Sequence, residues 1–285
     1  MERKLWLRLY AVIWSVGHPR PPVRVSHADQ WVVLVYLWAC LHDRPTQWAC
    51  RRCHWPPDLR PPRLPSQPTM SRRLRSAGVN ALLNALLARY RGRPEDDWVR
   101  YLDAKPLPVG GMSKDPDAAD GFGADSYFRG YKLHAVFGRG PVPLAWEVRP
   151  ANYGEPTTAR LLVNRLGGTG YLVGDPSYDS NPLAEQAGQQ GHQLVAKPKR
   201  PAGAGRGHHP QSPFRLRSLA LWDRPFGRAL YHSRAAIERR FGQETGNGLG
   251  ALPPWVRRRH RVKRWVQAKL LIIALKAVPD SPLAA

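Results

Sequence analysis

Two short runs of this chain end alike, and that shared ending constrains the fold more than any other feature. Val99-Arg100-Tyr101-Leu102-Asp103-Ala104 and Gly170-Tyr171-Leu172-Val173-Gly174-Asp175 are both strand-like, and each delivers an aspartate near its C-terminal end. A third acid comes late, in Tyr231-His232-Ser233-Arg234-Ala235-Ala236-Ile237-Glu238-Arg239-Arg240-Phe241. No Gly or Pro interrupts this stretch, and Leu230, Ile237 and Phe241 recur at helical spacing, so it reads as one helix. Tyr231, Arg234 and Glu238 then share one face. On helix physics alone Arg234 and Glu238 are an ordinary ion pair, worth ~0.3–0.5 kcal/mol if exposed. Arg before Glu is, however, the weaker order for such a pair. Beside the two aspartates, Glu238 instead completes a hard-oxygen cage that suits one or two Mg²⁺ ions.

Charge points to a partner. The 285 residues carry 44 Lys and Arg against 21 Asp and Glu, an excess of 23 positive charges. Folding does not need that excess, which costs self-repulsion and implies a polyanion. Nucleic acid comes first, an anionic membrane surface second, and a ribosome-like structural role third. No apolar run reaches the ~20 residues of a bilayer span; Trp31–Cys40 is the longest. Arg8 interrupts the apolar start, and no small-residue cleavage site precedes Pro19, so the expectation is a mature cytoplasmic protein. Cys50-Arg51-Arg52-Cys53-His54 has the form of a haem-attachment run, and Cys40 could add a fourth zinc ligand. Without an export signal or the usual paired spacing, chance in a reduced compartment explains the cysteines better.

The three acids have company in register, and together they resemble a known family. Asp103, Asp175 and Glu238 lie where the DDE insertion-sequence transposases of bacteria carry their catalytic triad, and Tyr231-x-x-Arg234-x-x-x-Glu238 is similar to the signature that presents the third acid. Ser126–Ala135 resembles that family's second strand, Trp146–Asn152 its third, and Asp175-x-x-Tyr178-Asp179-Ser180 its second-acid turn. The resemblance covers roughly residues 98–278. Two positions depart from it. Thr245, followed by Gly246, stands where the signature helix usually has lysine, and Pro176 and Ser177 stand where Lys and Gly are usual.

The resemblance implies an α/β fold, an RNase H-like mixed sheet flanked by helices. It implies a transposase that cleaves and joins element ends by two-metal phosphodiester transfer, with Mg²⁺ as cofactor and Mn²⁺ able to substitute. The implied metal ligands are Asp103, Asp175 and Glu238. The implied partner is double-stranded DNA, both the terminal inverted repeats and the target, with no membrane, a homodimer in the synaptic complex and a nucleoid-associated place in the cytoplasm. Tyr231 and Arg234 would touch phosphates or orient Glu238, and Lys132 and Arg239 would add DNA contacts. Two other classes stay open: a relic that grips DNA without cutting, motivated by Thr245, Pro176 and Ser177, and a structure-specific nuclease on the same core.

The rest of the chain organises around this unit. Residues 1–94 read as a helical region, and 95–285 as the catalytic domain. A helix over 1–16 ends at the Pro-rich turn His18–Val23; Ser26 caps a second helix through Trp38; others follow near Thr46–Cys53, from Thr69, and over Asn80–Tyr90. Short helices with the basic run Ser71-Arg72-Arg73-Leu74-Arg75 suggest either a helix-turn-helix reader or a helical cap. The spacing then predicts strands at 98–104, 127–137, 143–150, 170–174 and 192–196, with helices at 157–166 and 180–190. Residues 197–217 read as a basic loop. Arg257, Arg258, Arg259 and Lys263 open a last helix whose apolar side, Val262, Trp265, Val266, Leu270 and Ile273, docks on the core while the basic side faces DNA. His134 reads as a core histidine, Asp179 as a helix cap, and Asp115, Asp117 and Asp120 as a solvated turn.

Overall fold

A computed structural model describes residues 2–17, 26–123, 126–199 and 211–278. The turn expected at His18–Val23 and residues 200–210 of the expected basic loop lie outside the described residues. The elements begin with α1 (Glu2–Ser15), α2 (Asp29–Leu41), α3 (Thr46–Ala49), α4 (Gln67–Arg73) and α5 (Ala77–Ala88). The sheet strands and their crossovers follow as β1 (Val99–Pro108), β2 (Ala119–Phe122), β3 (Tyr127–Phe137), β4 (Ala145–Pro150), α6 (Glu155–Val163), β5 (Gly170–Gly174), α7 (Asn181–Gln189) and β6 (His192–Ala196). Four helices close the chain: α8 (Pro213–Trp222), α9 (Pro225–His232), α10 (Ala235–Gly246) and α11 (Arg259–Ala277). Contacts divide the chain into one unit built up to Arg91 and again from Arg261, and a second from Gly92 to His260.

The first unit is helical. Its α2 is apolar all round and buried from Val32 to Cys40, as a central helix must be. Trp38 stacks on Trp55 at 4.7 Å and meets Trp6 edge-on at 4.8 Å. No Ser26 cap forms; Ala28 precedes the helix, and Asp29 in its first turn takes the guanidinium of Arg73 at 2.5 Å. Ser66 caps α4 and Ser76 caps α5. The basic run from Ser71 therefore closes α4, and the helix that follows contains no Lys or Arg. From Arg261 onward α11 clusters by contacts with this unit. It is buried on every side from Trp265 to Leu275, because even Lys269 is matched there, to Asp43 at 2.6 Å. The Cys50–His54 run is occupied by local bonding: His54 stacks on Trp48 and its Nδ1 meets the Trp48 carbonyl at 2.8 Å. No helix among the described residues is long and apolar enough to cross a membrane.

The second unit holds a six-stranded mixed sheet. β1 pairs antiparallel with β3, whose far edge carries β2 and then β4. On its other edge β1 runs parallel to β5, and β5 parallel to β6. The path β4–β3–β1–β5–β6 is an RNase H-like sheet. Leu102, Val136, Leu172 and Leu194 bury one face against Ala159, Leu162 and Val163 of α6 and Leu183, Ala184 and Ala187 of α7. Side chains alternate along a strand, so Tyr101, Asp103 and Lys105 project from the opposite face, towards α9 and α10. All five expected strands form, but the first, expected to end at 104, runs on to Pro108 and leaves Asp103 within it. β2, α8 and α9 are additions the periodicity did not disclose, and α8 takes residues 213–217 of the expected basic loop.

Three expectations are corrected here. The stretch Tyr231–Phe241 is not one helix: α9 ends at His232 and α10 starts at Ala235. Ser233 bonds back to the Leu230 carbonyl and accepts the Tyr101 hydroxyl at 3.0 Å, a tertiary tie that wins over helix continuation. Asp115 is not solvated; it is fully buried, accepting from Tyr131 Oη at 2.8 Å and from the Arg258 N–H at 2.9 Å. Asp179 caps nothing. Ser180 precedes α7, and Asp179 takes Arg215 at 2.7 and 2.9 Å, fastening α8.

Two buried groups set opposite pH slopes. Burial pushes Glu244 up to about 7, against the pull of Lys105 and Arg240, so the folded state keeps a proton that the unfolded chain has released. That contribution is complete below the ordinary carboxylate range and is lost as pH rises to about 7. Burial and the Arg100 guanidinium push His192 down to about 4. Its stabilisation is present above the ordinary imidazole range and is lost as pH falls to about 4. Between pH ~4.5 and ~6.5, Glu244→Gln should make the melting temperature rise more steeply with pH than in the parent, and His192→Asn should make it rise less. Parallel melting curves for all three proteins would refute both assignments.

Candidate active site

Register brings the two aspartates together. Leu102 of β1 lies opposite Gly174 of β5 in the parallel ladder, so the next residues on both strands are Asp103 and Asp175. Gly174 has no side chain for good reason: a Cβ there would come within 2.8 Å of the Tyr178 ring. Its absence lets Pro176–Tyr178 fold back as a tight turn. Asp175 caps that turn, its Oδ1 accepting the Ser177 N–H at 2.7 Å. Asp103 Oδ1 accepts the Ala104 N–H at 2.8 Å.

Glu238 arrives on the first turn of α10. The break between α9 and α10 puts Arg234 at the junction, where its guanidinium donates to Glu238 Oε1 at 2.7 Å and lies 3.9 Å from Asp103 Oδ2. Arg234 is thus the shared countercharge of two of the three acids. Asp103, Asp175 and Glu238 line one open cavity of about 1040 Å³, together with Lys132, Glu155, Ser177 and Lys199. Burial pushes Asp103 up to about 7; Asp175 and Glu155 add to the rise, while the Ala104 N–H and Arg234 oppose it.

Among the described residues no three Asp, Glu, His or Cys side chains converge closely enough to hold a metal ion. The donor set nonetheless has the right chemistry for a hard divalent cation. Oxygen ligands predominate, they repel one another in a partly buried cleft, and Asp103 is pushed towards the neutral form by burial first and by its neighbouring carboxylates second.

The expected DNA contacts separate in the structure. Arg234 is in the cavity, paired as described. Lys132 is buried and committed to Glu155 Oε1 at 2.7 Å, not held out to a phosphate. Tyr231 packs edge-on against Trp222 at 5.0 Å and does not line the cavity. Arg239 and Arg257 are exposed. Arg258 pairs with Asp117 at 3.2 Å at the surface, its side chain still exposed, and Arg259 is tied inward to the Val148 carbonyl at 3.0 Å and Glu147 at 3.4 Å. Lys263 belongs to the helical unit.

Three residues escaped the sequence. Glu155 falls just outside the helix expected at 157–166, and Ser177 reads as a departure from the usual turn. Lys105 is the third: from β1 its Nζ donates to the Phe241 carbonyl at 3.2 Å and to Thr245 Oγ1 at 2.5 Å. An ammonium from the sheet therefore occupies the space beside Thr245. Only the alternation that puts Asp103 and Lys105 on one face could have pointed to it.

An RNase H-like sheet that sets acids of two adjacent central strands side by side is a frame shared by proteins that cut and join nucleic acids. Residues 94–275 match the family described as Transposase DDE domain, and the chain belongs to that family of DDE-type insertion-sequence transposases. No curated protein and no solved structure matches the chain.

Because Lys105 already donates to Thr245 Oγ1, Thr245→Lys should remove that hydrogen bond and set a second ammonium beside the first, destabilising the protein by about 1 kcal/mol. Adding Lys105→Thr should recover most of that loss in thermal melting. A single variant that melts with the parent would show that the Lys105–Thr245 contact carries no weight.

Proposed function

We propose that this protein is a DNA transposase that cuts and joins the ends of its own insertion sequence, with Asp103, Asp175 and Glu238 as the site acids. The observation that carries the reading is the β1–β5 register, which sets Asp103 beside Asp175 at the end of the sheet, in one cavity with Glu238. The three carboxylates would hold Mg²⁺, with Mn²⁺ able to substitute; such ions activate the attacking oxygen and stabilise the leaving one in an in-line displacement at phosphorus. Arg234 meanwhile balances Asp103 and Glu238 until phosphate enters, and is then placed to donate to its oxygens. Phe122, Tyr127 and Tyr153 line the same cavity and offer aromatic faces to sugar and base. Exposed Arg239 and Arg257 would follow the backbone of double-stranded DNA, inverted repeat and target alike. A homodimer on paired element ends, recognition of those ends by residues 1–94 and residence on the nucleoid belong to the same proposal.

A second reading is that the chain grips element DNA without cutting it. Arg234 favours that reading, since its guanidinium already satisfies Asp103 and Glu238.

Neutralising single acids separates the two readings. Asp103→Asn, Asp175→Asn and Glu238→Gln should each abolish nicking and joining of supplied element ends, while duplex affinity stays level or rises as repulsion of phosphate falls. Metal-free melting should hold or rise, and the stabilisation by added Mg²⁺ or Mn²⁺ should shrink. Three variants that nick like the parent would sink the assignment; a parent that binds tightly yet never nicks would leave the second reading.

Binding should also be steeply salt-dependent, with affinity for duplex DNA dropping by orders of magnitude between roughly 50 and 200 mM salt. Arg239→Ala and Arg257→Ala should weaken binding on all sequences alike and lower the salt slope by about 1 each. Titrations with a flat salt response would count against a nucleic-acid partner.

A further inference from the structure

Beyond the three acids, two more carboxylates line the cavity, Asp120 and Glu155. Glu155 stands in the first turn of α6 and is largely buried, with Lys132 Nζ donating to its Oε1 at 2.7 Å and Ser177 Oγ lying 2.6 Å from its Oε2. The same Ser177 hydroxyl lies against Asp175 Oδ1, and the Ser177 N–H donates to that oxygen at 2.7 Å. A serine hydroxyl has one proton and can donate it to only one acceptor at a time. When Glu155 takes that proton, Asp175 keeps the backbone N–H on Oδ1, and its Oδ2 has no hydrogen-bond partner among the described residues. Lys132 is itself buried on β3, so Glu155 is anchored from the sheet and does not drift with the cavity rim.

We infer that Glu155 is a positioning residue for Asp175: held by Lys132, it draws the Ser177 hydroxyl to itself and thereby fixes the turn that aims the free Asp175 oxygen into the cavity. The arrangement also gives Ser177 a task. A glycine at that position would retain the N–H but could not connect Asp175 to α6. Partners that orient a ligating carboxylate are commonly worth 10–100-fold in metal affinity.

This inference rests on the proposal that Asp175 holds a divalent ion, and its test reads metal binding rather than cleavage. Mn²⁺ is titrated into the metal-free full chain, and free Mn²⁺ is followed by its paramagnetic resonance signal. Glu155→Gln and Ser177→Ala should each weaken Mn²⁺ binding about tenfold. The metal-free melting temperature should change little for Ser177→Ala and fall for Glu155→Gln, which leaves buried Lys132 without its countercharge. The double variant should be no worse than the poorer single one, because both act through one hydroxyl contact. Should Glu155→Gln fail to fold, Ser177→Ala, which leaves the Lys132–Glu155 pair in place, carries the test alone. A parent that binds Mn²⁺ with variants that match it overturns the positioning role only. Losses that multiply in the double variant also overturn it, since the two residues would then act separately. A parent that binds no Mn²⁺ overturns the metal-holding reading and this inference with it.

Discussion

The parallel pairing of β1 with β5 is the constraint on which the rest of the larger unit depends. Because Leu102 faces Gly174 in the last pair of that ladder, the next residue on each strand is an aspartate, Asp175 just past the end of β5 and Asp103 midway along β1, which runs on to Pro108. A slip of one residue would turn Asp103 into the core and Leu102 out of it. Leu102, Val136, Leu172 and Leu194 all bury the α6–α7 face, so such a slip would expose several large apolar side chains. Fully burying each of these is worth about 1.5–3 kcal/mol. The hydrophobic face therefore fixes the position of the acids, even though no acid contributes to the core.

Around that fixed pair the protein manages repulsion. Asp103, Asp175, Glu155 and Glu238 crowd one cavity, and each has been given a donor. Arg234 serves Asp103 and Glu238, backbone N–H groups serve Asp103 and Asp175, and Lys132 serves Glu155. Beneath them two buried groups remain without any hydrogen bond, the His134 ring and the Tyr178 hydroxyl. Burial holds His134 neutral, down to about 4, in keeping with a place in the core. The site is polar to its floor, so its shape depends on which donor each carboxylate takes.

A second set of buried charges fastens the segment after α10. Asp115 accepts from Tyr131 and from the Arg258 backbone, while Glu147 takes both Arg165 and Arg259. Buried ion pairs add little net stability but are costly to break once formed. They hold the chain against the sheet just before it leaves for the helical unit. This is why a run of arginines that looked like an open basic face is, in part, internal stitching.

The sequence by itself determined the period-two and helical stretches of the α/β unit, the two aspartates that follow short apolar runs, and the late Glu238, since these follow from local pattern and from residue chemistry. It also determined the basic surplus that asks for a polyanion. Tertiary structure decided what local pattern cannot encode. It broke Tyr231–Phe241 at Ser233, because a hydroxyl from β1 outweighed helix continuation there. It gave Asp179 to Arg215 and buried Asp115, since partners far along the chain were closer in space than solvent. It sent α11 to the helical unit, where an all-round apolar surface could be covered. And it placed Glu155 beside Ser177 and Lys105 beside Thr245, contacts between residues 22 and 140 apart in sequence that only a folded sheet brings within hydrogen-bond reach.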